Sequence, residues 1–192
     1  MTTIILTVEQ VAAAMLMAAT NDVRYYLNGI YLDAVNKRMV ATDGHAIYIA
    51  KNVTTFEHSV ILPRFKIPTG TKSIDITHEG ANVYEVIFVC GKGTNTRIVR
   101  EQVTAIDRTY PSYWIALQDL PEVGINNIGI DLWLLAKAAK VFKYAKLSFT
   151  KDDGIVYVTS DATPDELIGI MPARAKHVFT NTELKTFTSV RN

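Results

Sequence analysis

Residues 23–50 read VRYYLNGIYLDAVNKRMVATDGHAIYIA and constrain the fold more than any other stretch of the chain. Two strand-like runs, Tyr25–Asp33 and Arg38–Thr42, flank a short turn at Val35-Asn36-Lys37. Aromatic and β-branched residues suit a pleated, half-buried surface, and Asn suits a tight reversal. A second tight turn, Thr42-Asp43-Gly44-His45, feeds a third run, Ala46–Ala50. In that turn Gly44 supplies backbone freedom, and the Asp43 carboxylate is placed to accept from the amides that follow it.

The flanking sequence extends this trio of strands into a unit. Thr3–Leu6 predicts a strand, and Thr7 predicts a helix N-cap with Gln10 at capping-box spacing. The helix is expected over Val8–Asn21, with Val11, Met15 and Ala18 down one face and Leu16 near its edge. The order is β-α-β-β-β. A second unit of this shape lies near the C-terminus. Asn127–Ile130 predicts a strand, and Asp131 caps a helix to about Phe142. Strands Ala145–Thr150 and Ile155–Ser160 follow, joined by Lys151-Asp152-Asp153-Gly154, an Asp-Gly hairpin signal. After Asp161-Ala162-Thr163-Pro164 comes a last strand, Glu166–Met171. VATDGHAIYIA in the first unit has its echo in VTSDATPDELIGIM in the last, an internal pseudo-repeat.

Between the units, strands are expected at Ser59–Leu62, Ser73–Thr77, Val83–Val89 and Thr96–Val103, with no helix. Antiparallel strands with helices on one side make an α+β layer structure. The expected organisation is a single abridged domain over residues 1–178, with halves at about 3–57 and 125–175, a strand-rich middle at about 58–118, and a polar tail at 179–192.

Composition narrows the function. The chain has 192 residues, 48% hydrophobic, and a net charge of +1 from 20 Lys+Arg against 19 Asp+Glu. A protein that holds nucleic acid mainly by charge is more basic than this. Cys90 is the single cysteine, so an internal disulfide is excluded and a reducing cytoplasm is expected. The N-terminal apolar run breaks at Thr7 and Glu9, unlike a signal peptide, and no stretch nears the ~18 apolar residues of a spanning helix. His45 lies beside Asp43, but a turn accounts for both. His58, His78 and His177 show no metal spacing with Cys90, and phosphate-loop and nucleophile-elbow motifs are missing. No enzyme activity, metal or cofactor is expected.

The motifs resemble those of a known family. RYYLNG at Arg24–Gly29 and, after a hairpin, ATDGH at Ala41–His45 are similar to domain two of the bacterial beta sliding clamp, the processivity subunit of DNA polymerase III. Ser59-Val60-Ile61-Leu62-Pro63-Arg64 is similar to the clamp's SVIxPR, and Asp107–Tyr113 to its DGRFPDY. Gly169-Ile170-Met171-Pro172-Ala173-Arg174 resembles the clamp's C-terminal VVMPMR, so the resemblance runs from about Thr3 to Arg174. It implies a DNA-clamp fold made of domain two plus the closing half of domain three. There are three departures. The clamp has a helix after the position of Arg64, where Phe65-Lys66-Ile67-Pro68-Thr69-Gly70 leaves no room for one. The clamp has three domains, against nearer one and a half here. The clamp's pore helices carry Lys and Arg, whereas Val8–Asn21 carries neither. The abridgement fits a phage or mobile-element version.

Two sites follow from the resemblance. A hydrophobic peptide cleft would be lined by Leu27, Thr42 and Ile47 on one wall and Met171 and Pro172 on the other, with Arg174 at the rim. Ala173 and Ala46, where the clamp has a Met and a basic residue, would shrink or neutralise it. Duplex DNA would be touched by Arg24, Tyr25 and Tyr26, and the residues themselves add a lysine row at Lys137, Lys140 and Lys143 on the second helix. The implied role is a sliding-clamp-like processivity factor, a homo-oligomer that encircles or sits on DNA and tethers a DNA polymerase or other protein carrying a clamp-binding motif. The competing reading is an interaction module that keeps the cleft without forming a ring, acting as decoy or adaptor.

Overall fold

The computed structural model describes residues 2–92, 95–117, 130–149 and 154–172. β1 (Thr3–Leu6) leads into α1 (Val8–Met17). Then come β2 (Gly29–Asp33), β3 (Arg38–Thr42), β4 (Ala46–Lys51) and β5 (Val60–Pro63). Three ten-residue strands, β6 (Thr71–Gly80), β7 (Val83–Lys92) and β8 (Asn95–Thr104), form the middle. α2 (Leu132–Val141), β9 (Lys146–Phe149), β10 (Val156–Ser160) and β11 (Thr163–Ile170) complete the order.

Two antiparallel sheets result. One runs β1-β6-β7-β8, the other β5-β2-β3-β4-β11-β10-β9. In the second sheet the trio β2-β3-β4 of the first unit meets the trio β11-β10-β9 of the last along β4 and β11, with Ile47 opposite Gly169 and Ala46 opposite Ile170. The two units therefore meet edge to edge in one sheet, and α1 and α2 lie against each other across it. β1, although it opens the first unit, pairs with β6 in the other sheet. The expected strand at Asn127–Ile130 and the turn at Lys151–Gly154 fall largely outside the described residues, as does the tail.

Strand alternation builds two apolar faces on the seven-stranded sheet. On one, Met39, Ala41, Tyr48 and Ala50 join Val11, Met15, Ile74 and Phe88 in the main core, which takes in α1 and both sheets. On the other, Val40, Ile47 and Ile49 pack with Leu27, Ile61, Tyr110 and Tyr113. Residues 39–41 and 46–50 are apolar without interruption because both faces are covered.

The first helix is shorter than its pattern predicts, ending at Met17 rather than Asn21. Thr7 caps its start, accepting from the Gln10 amide at 3.3 Å. At its other end the Arg64 guanidinium donates to the carbonyls of Met15 and Ala18. A cation there satisfies the last carbonyls and complements the helix dipole. The chain then leaves in extended conformation at Ala18, and the Ala19 amide turns to the Leu27 carbonyl. Tyr25–Leu27, expected as strand, is a 3-10 turn that brings the chain back into β2. Residues 65–70, directly after Arg64, form no helix, in keeping with the sequence.

Candidate functional site

The Thr42–Ala46 turn is the keystone of the site. Gly44 has φ of +89°, in the left-handed region that favours glycine. Asp43 Oδ1 accepts from the amides of His45 and Ala46, both at 2.9 Å. Thr42 Oγ1 accepts from the Gly44 amide at 3.0 Å and donates to the Ala46 carbonyl at 2.7 Å. The turn role assigned to Asp43 and Gly44 is thus present in geometry, and His45 and Asp43 meet through backbone rather than as an acid-base pair. The Asp43 carboxyl lies below the usual carboxylate range: burial pushes it up, but bonds from Lys137 and the two amides outweigh burial.

Beside this turn lies a cleft of about 390 Å³ on the outer apolar face. Leu27, Thr42 and Ile47 line it from the first unit, and Ile155, Gly169 and Met171 from the last. Tyr110, Pro111 and Tyr113 close it from the segment after β8. Met171 is 45% exposed and adaptable in shape, which suits it to a binding surface. Gly169 makes room: a Cβ there would lie 3.0 Å from Ile47 Cγ2 and 3.1 Å from Ile155 Cγ2. Tyr110 stacks on Tyr31 with centroids 4.5 Å apart. The Tyr113 hydroxyl donates to Asp33 Oδ2 at 2.8 Å, which fixes this wall to the β2–β3 turn.

Four of the residues expected in a peptide cleft, Leu27, Thr42, Ile47 and Met171, are therefore brought together. Pro172 follows Met171 without lining the cleft, and Arg174 lies outside the described residues. Tyr110, Ile155 and Gly169 line it too, beyond the residues the sequence points to. Tyr110 lies in the Asp107–Tyr113 motif, but only the fold brings it to the same cleft as Ile47.

Of the residues expected to touch DNA, Arg24 and Tyr26 also line the cleft. The Arg24 guanidinium binds Asp22 in a fork, Nε to Oδ1 at 3.0 Å and Nη2 to Oδ2 at 2.7 Å. The bonds from Arg24 hold the Asp22 carboxyl down at about 2. The Tyr25 hydroxyl accepts from Arg108 Nε, and the Arg108 guanidinium sits 5.4 Å from the ring centroid. Lys137 reaches Asp43 Oδ2 at 2.8 Å. Lys140 lines a groove between the helices with Glu9 and Glu166, and Lys143 lies beyond the end of α2, 5.5 Å from the Tyr144 ring centroid. The three lysines thus have three different surroundings, with Lys140 and Lys143 exposed.

No protein-family model matches the chain. The beta sliding clamp of Caulobacter vibrioides, in each of two strains, is 28% identical over 151 residues, 71% of this chain and 38% of the relative. A Pseudomonas aeruginosa DNA polymerase sliding clamp superimposes with a TM-score of 0.63 at 16% identity, over 90% of this chain and 67% of that one. A Bartonella birtlesii sliding clamp bound to griselimycin gives 0.62 at 16% identity, over 90% and 66%. The chain is beta-clamp-like in sequence and in fold. It spans well under half the length of the curated clamps it matches. Among the described residues, no helix is long and apolar enough to cross a membrane.

Proposed function

We propose that this chain is a clamp-like processivity factor whose apolar cleft tethers replication proteins through a short peptide motif. One observation carries the reading. Leu27, Thr42 and Ile47 come from two motifs of the first unit, Met171 from a motif of the last, and all line a single half-open cleft. Apolar side chains at strand ends with a flexible Met at the mouth suit an inserted apolar side chain. The role needs shape and adhesion, with no bond chemistry. DNA would be held by topology in a homo-oligomeric ring, which a net charge of +1 tolerates. Arg24, Tyr25, Tyr26 and the lysines of α2 would contribute only local contacts. The organisation is read as one abridged clamp unit over residues 1–178.

The test has two arms. Griselimycin, present in the Bartonella structure, is a ready probe for the cleft. Leu27→Ala with Met171→Ala should weaken its binding tenfold or more, and unchanged affinity would remove the cleft from the proposal. Light scattering should give an oligomer at micromolar concentration, and nicked circular DNA should retain the protein until linearised. A monomer lost equally from circular and linear DNA rules out the ring. The absence of Lys and Arg from α1 would then favour the decoy or adaptor reading.

A further inference from the structure

The cleft is built from two units that meet along β4 and β11, and the Thr42–Ala46 turn forms part of its rim. The backbone ladder fixes the two strands, and the tip of the turn projects beyond it. The ladder ends at Ala46 and Ile170, and one further bond runs from the Met171 amide to the His45 carbonyl at 2.8 Å. Beyond these, the Lys137–Asp43 pair joins α2 to the turn at 2.8 Å. Its side chains are only 22% and 17% exposed, so water screens it less than a surface pair.

The two oxygens of Asp43 divide the work. Oδ1 accepts from His45 and Ala46 and folds the turn, while Oδ2 accepts from Lys137 and ties the turn to the other unit. On the opposite side the Arg24 guanidinium lies against Gly44, 3.0 Å from where a Cβ would stand, and Nη2 donates to the Asp43 carbonyl at 3.4 Å. The turn is thus held between a cation from its own unit and a cation from the other. Lys140 and Lys143, though spaced to match, lie in the interhelical groove and over Tyr144.

We propose that Lys137 is a positioning residue for the cleft: its ion pair with Asp43 holds the tip of the Thr42–Ala46 turn at the cleft's rim beside Ile47 and Met171, and so sets the cleft's affinity for an apolar ligand. This rests on the cleft being the binding site. Lys137 touches no ligand itself. It acts through the turn, in place of the phosphate contact that its position in a lysine row suggests.

The experiment uses the full chain and griselimycin. Lys137→Met should lower affinity three- to tenfold and shift the methyl NMR signals of Ile47 and Met171. Lys137→Arg should restore both, and Lys140→Met should leave both unchanged. Asp43→Asn keeps an oxygen for the two amides and removes only the charge, so it should match Lys137→Met. The double variant should lose no more than either single variant, because both delete one interaction. Additive losses, or wild-type affinity with unmoved methyl signals in Lys137→Met, overturn the proposal. Should Lys137→Met fail to fold, Asp43→Asn carries the same comparison. Should griselimycin not bind the wild type, the reading of the cleft as a clamp peptide site fails. The positioning role is then judged on the methyl signals alone, and unmoved signals overturn it.

Discussion

Strands β3 and β4 keep Met39, Val40, Ala41, Ala46, Tyr48 and Ala50 at 2% exposure or less, whereas β9, at the far edge of the same sheet, leaves Lys146, Leu147 and Ser148 exposed. The helices differ in the same way. α1 buries Val11, Ala13, Ala14, Met15 and Met17, and α2, also ten residues long, buries only Leu134 and Ala138. The cause is what each element touches. α1 packs on β2, β3, β4 and β6 and so meets both sheets, while α2 meets α1 and β11. Two units of matching layout therefore divide the work unequally. The first supplies most of the core, the second adds Val156, Val158, Ile168 and Ile170 to it, and the cleft lies where they join.

The strongest way to break this comparison is to delete equal side chains from each end. Leu32→Ala or Met39→Ala, both fully buried, should cost about 2–5 kcal/mol, the range for a core truncation that leaves a cavity. Leu147→Ala, at a position 41% exposed, should cost no more than about 1 kcal/mol. Urea unfolding with both variants measures the difference. Equal losses would mean that β9 carries as much of the core as β2 and β3, and the asymmetry would be lost.

Much of this architecture is legible in the sequence because it is local. The Thr7 cap, the Asp131 cap, the β3 boundaries and the Asp43–Gly44 turn each rest on residues within a few positions of one another. The uninterrupted apolar runs at 39–41 and 46–50 also carry a signal, since a strand apolar on both sides must be covered on both sides. What the sequence does not show involves distant partners. At the end of α1, Arg64 reaches back 46 residues to the Ala18 carbonyl. Lys137 meets Asp43, 94 residues away. Tyr25 turns out of the strand and bonds Arg108, 83 residues on. Periodicity reports which face of an element is apolar, not which charge the fold brings against it. The motif resemblance groups Leu27, Thr42, Ile47 and Met171 from distant parts of the chain, and in the fold these four line one cavity.

A smaller effect sharpens the seam itself. Gly169→Val places two methyl groups against Ile47 and Ile155, both already within 3.1 Å of the added Cβ. Overpacking of this kind costs about 1–3 kcal/mol, less than emptying the core. The new side chain would occupy the cleft, so griselimycin affinity should fall more than tenfold while the fold persists. Unchanged affinity would place the ligand elsewhere than against β11.

The smallest expected effect is the response to acid, and its sign follows from two carboxylates of the first unit, one in its interior and one at the seam. Asp33 is 2% exposed and accepts from the Val35 and Asn36 amides, the Asn36 side chain and the Tyr113 hydroxyl. Burial pushes its carboxyl up, but these bonds outweigh burial and hold it below the ordinary 3.8. Asp43 is lowered in the same direction, with the Lys137 bond the largest opponent of burial. A carboxyl depressed in the folded state contributes stability that is fully present above 3.8 and lost as pH falls through the folded value. Stability should therefore change little between neutral pH and about 5 and decline below about 4, each pKa unit of depression corresponding to about 1.4 kcal/mol. Tyr113 remains a donor throughout, since burial and its bond to Asp33 push its hydroxyl up to about 12. Asp33→Asn should flatten the share of the decline that belongs to the first unit's interior, and Asp43→Asn the share that belongs to the seam. Urea midpoints measured from pH 7 to pH 3 read both. A wild-type midpoint that rises below pH 4 would mean that burial prevails over hydrogen bonding at both carboxylates, and Lys137 would then have no anion to hold.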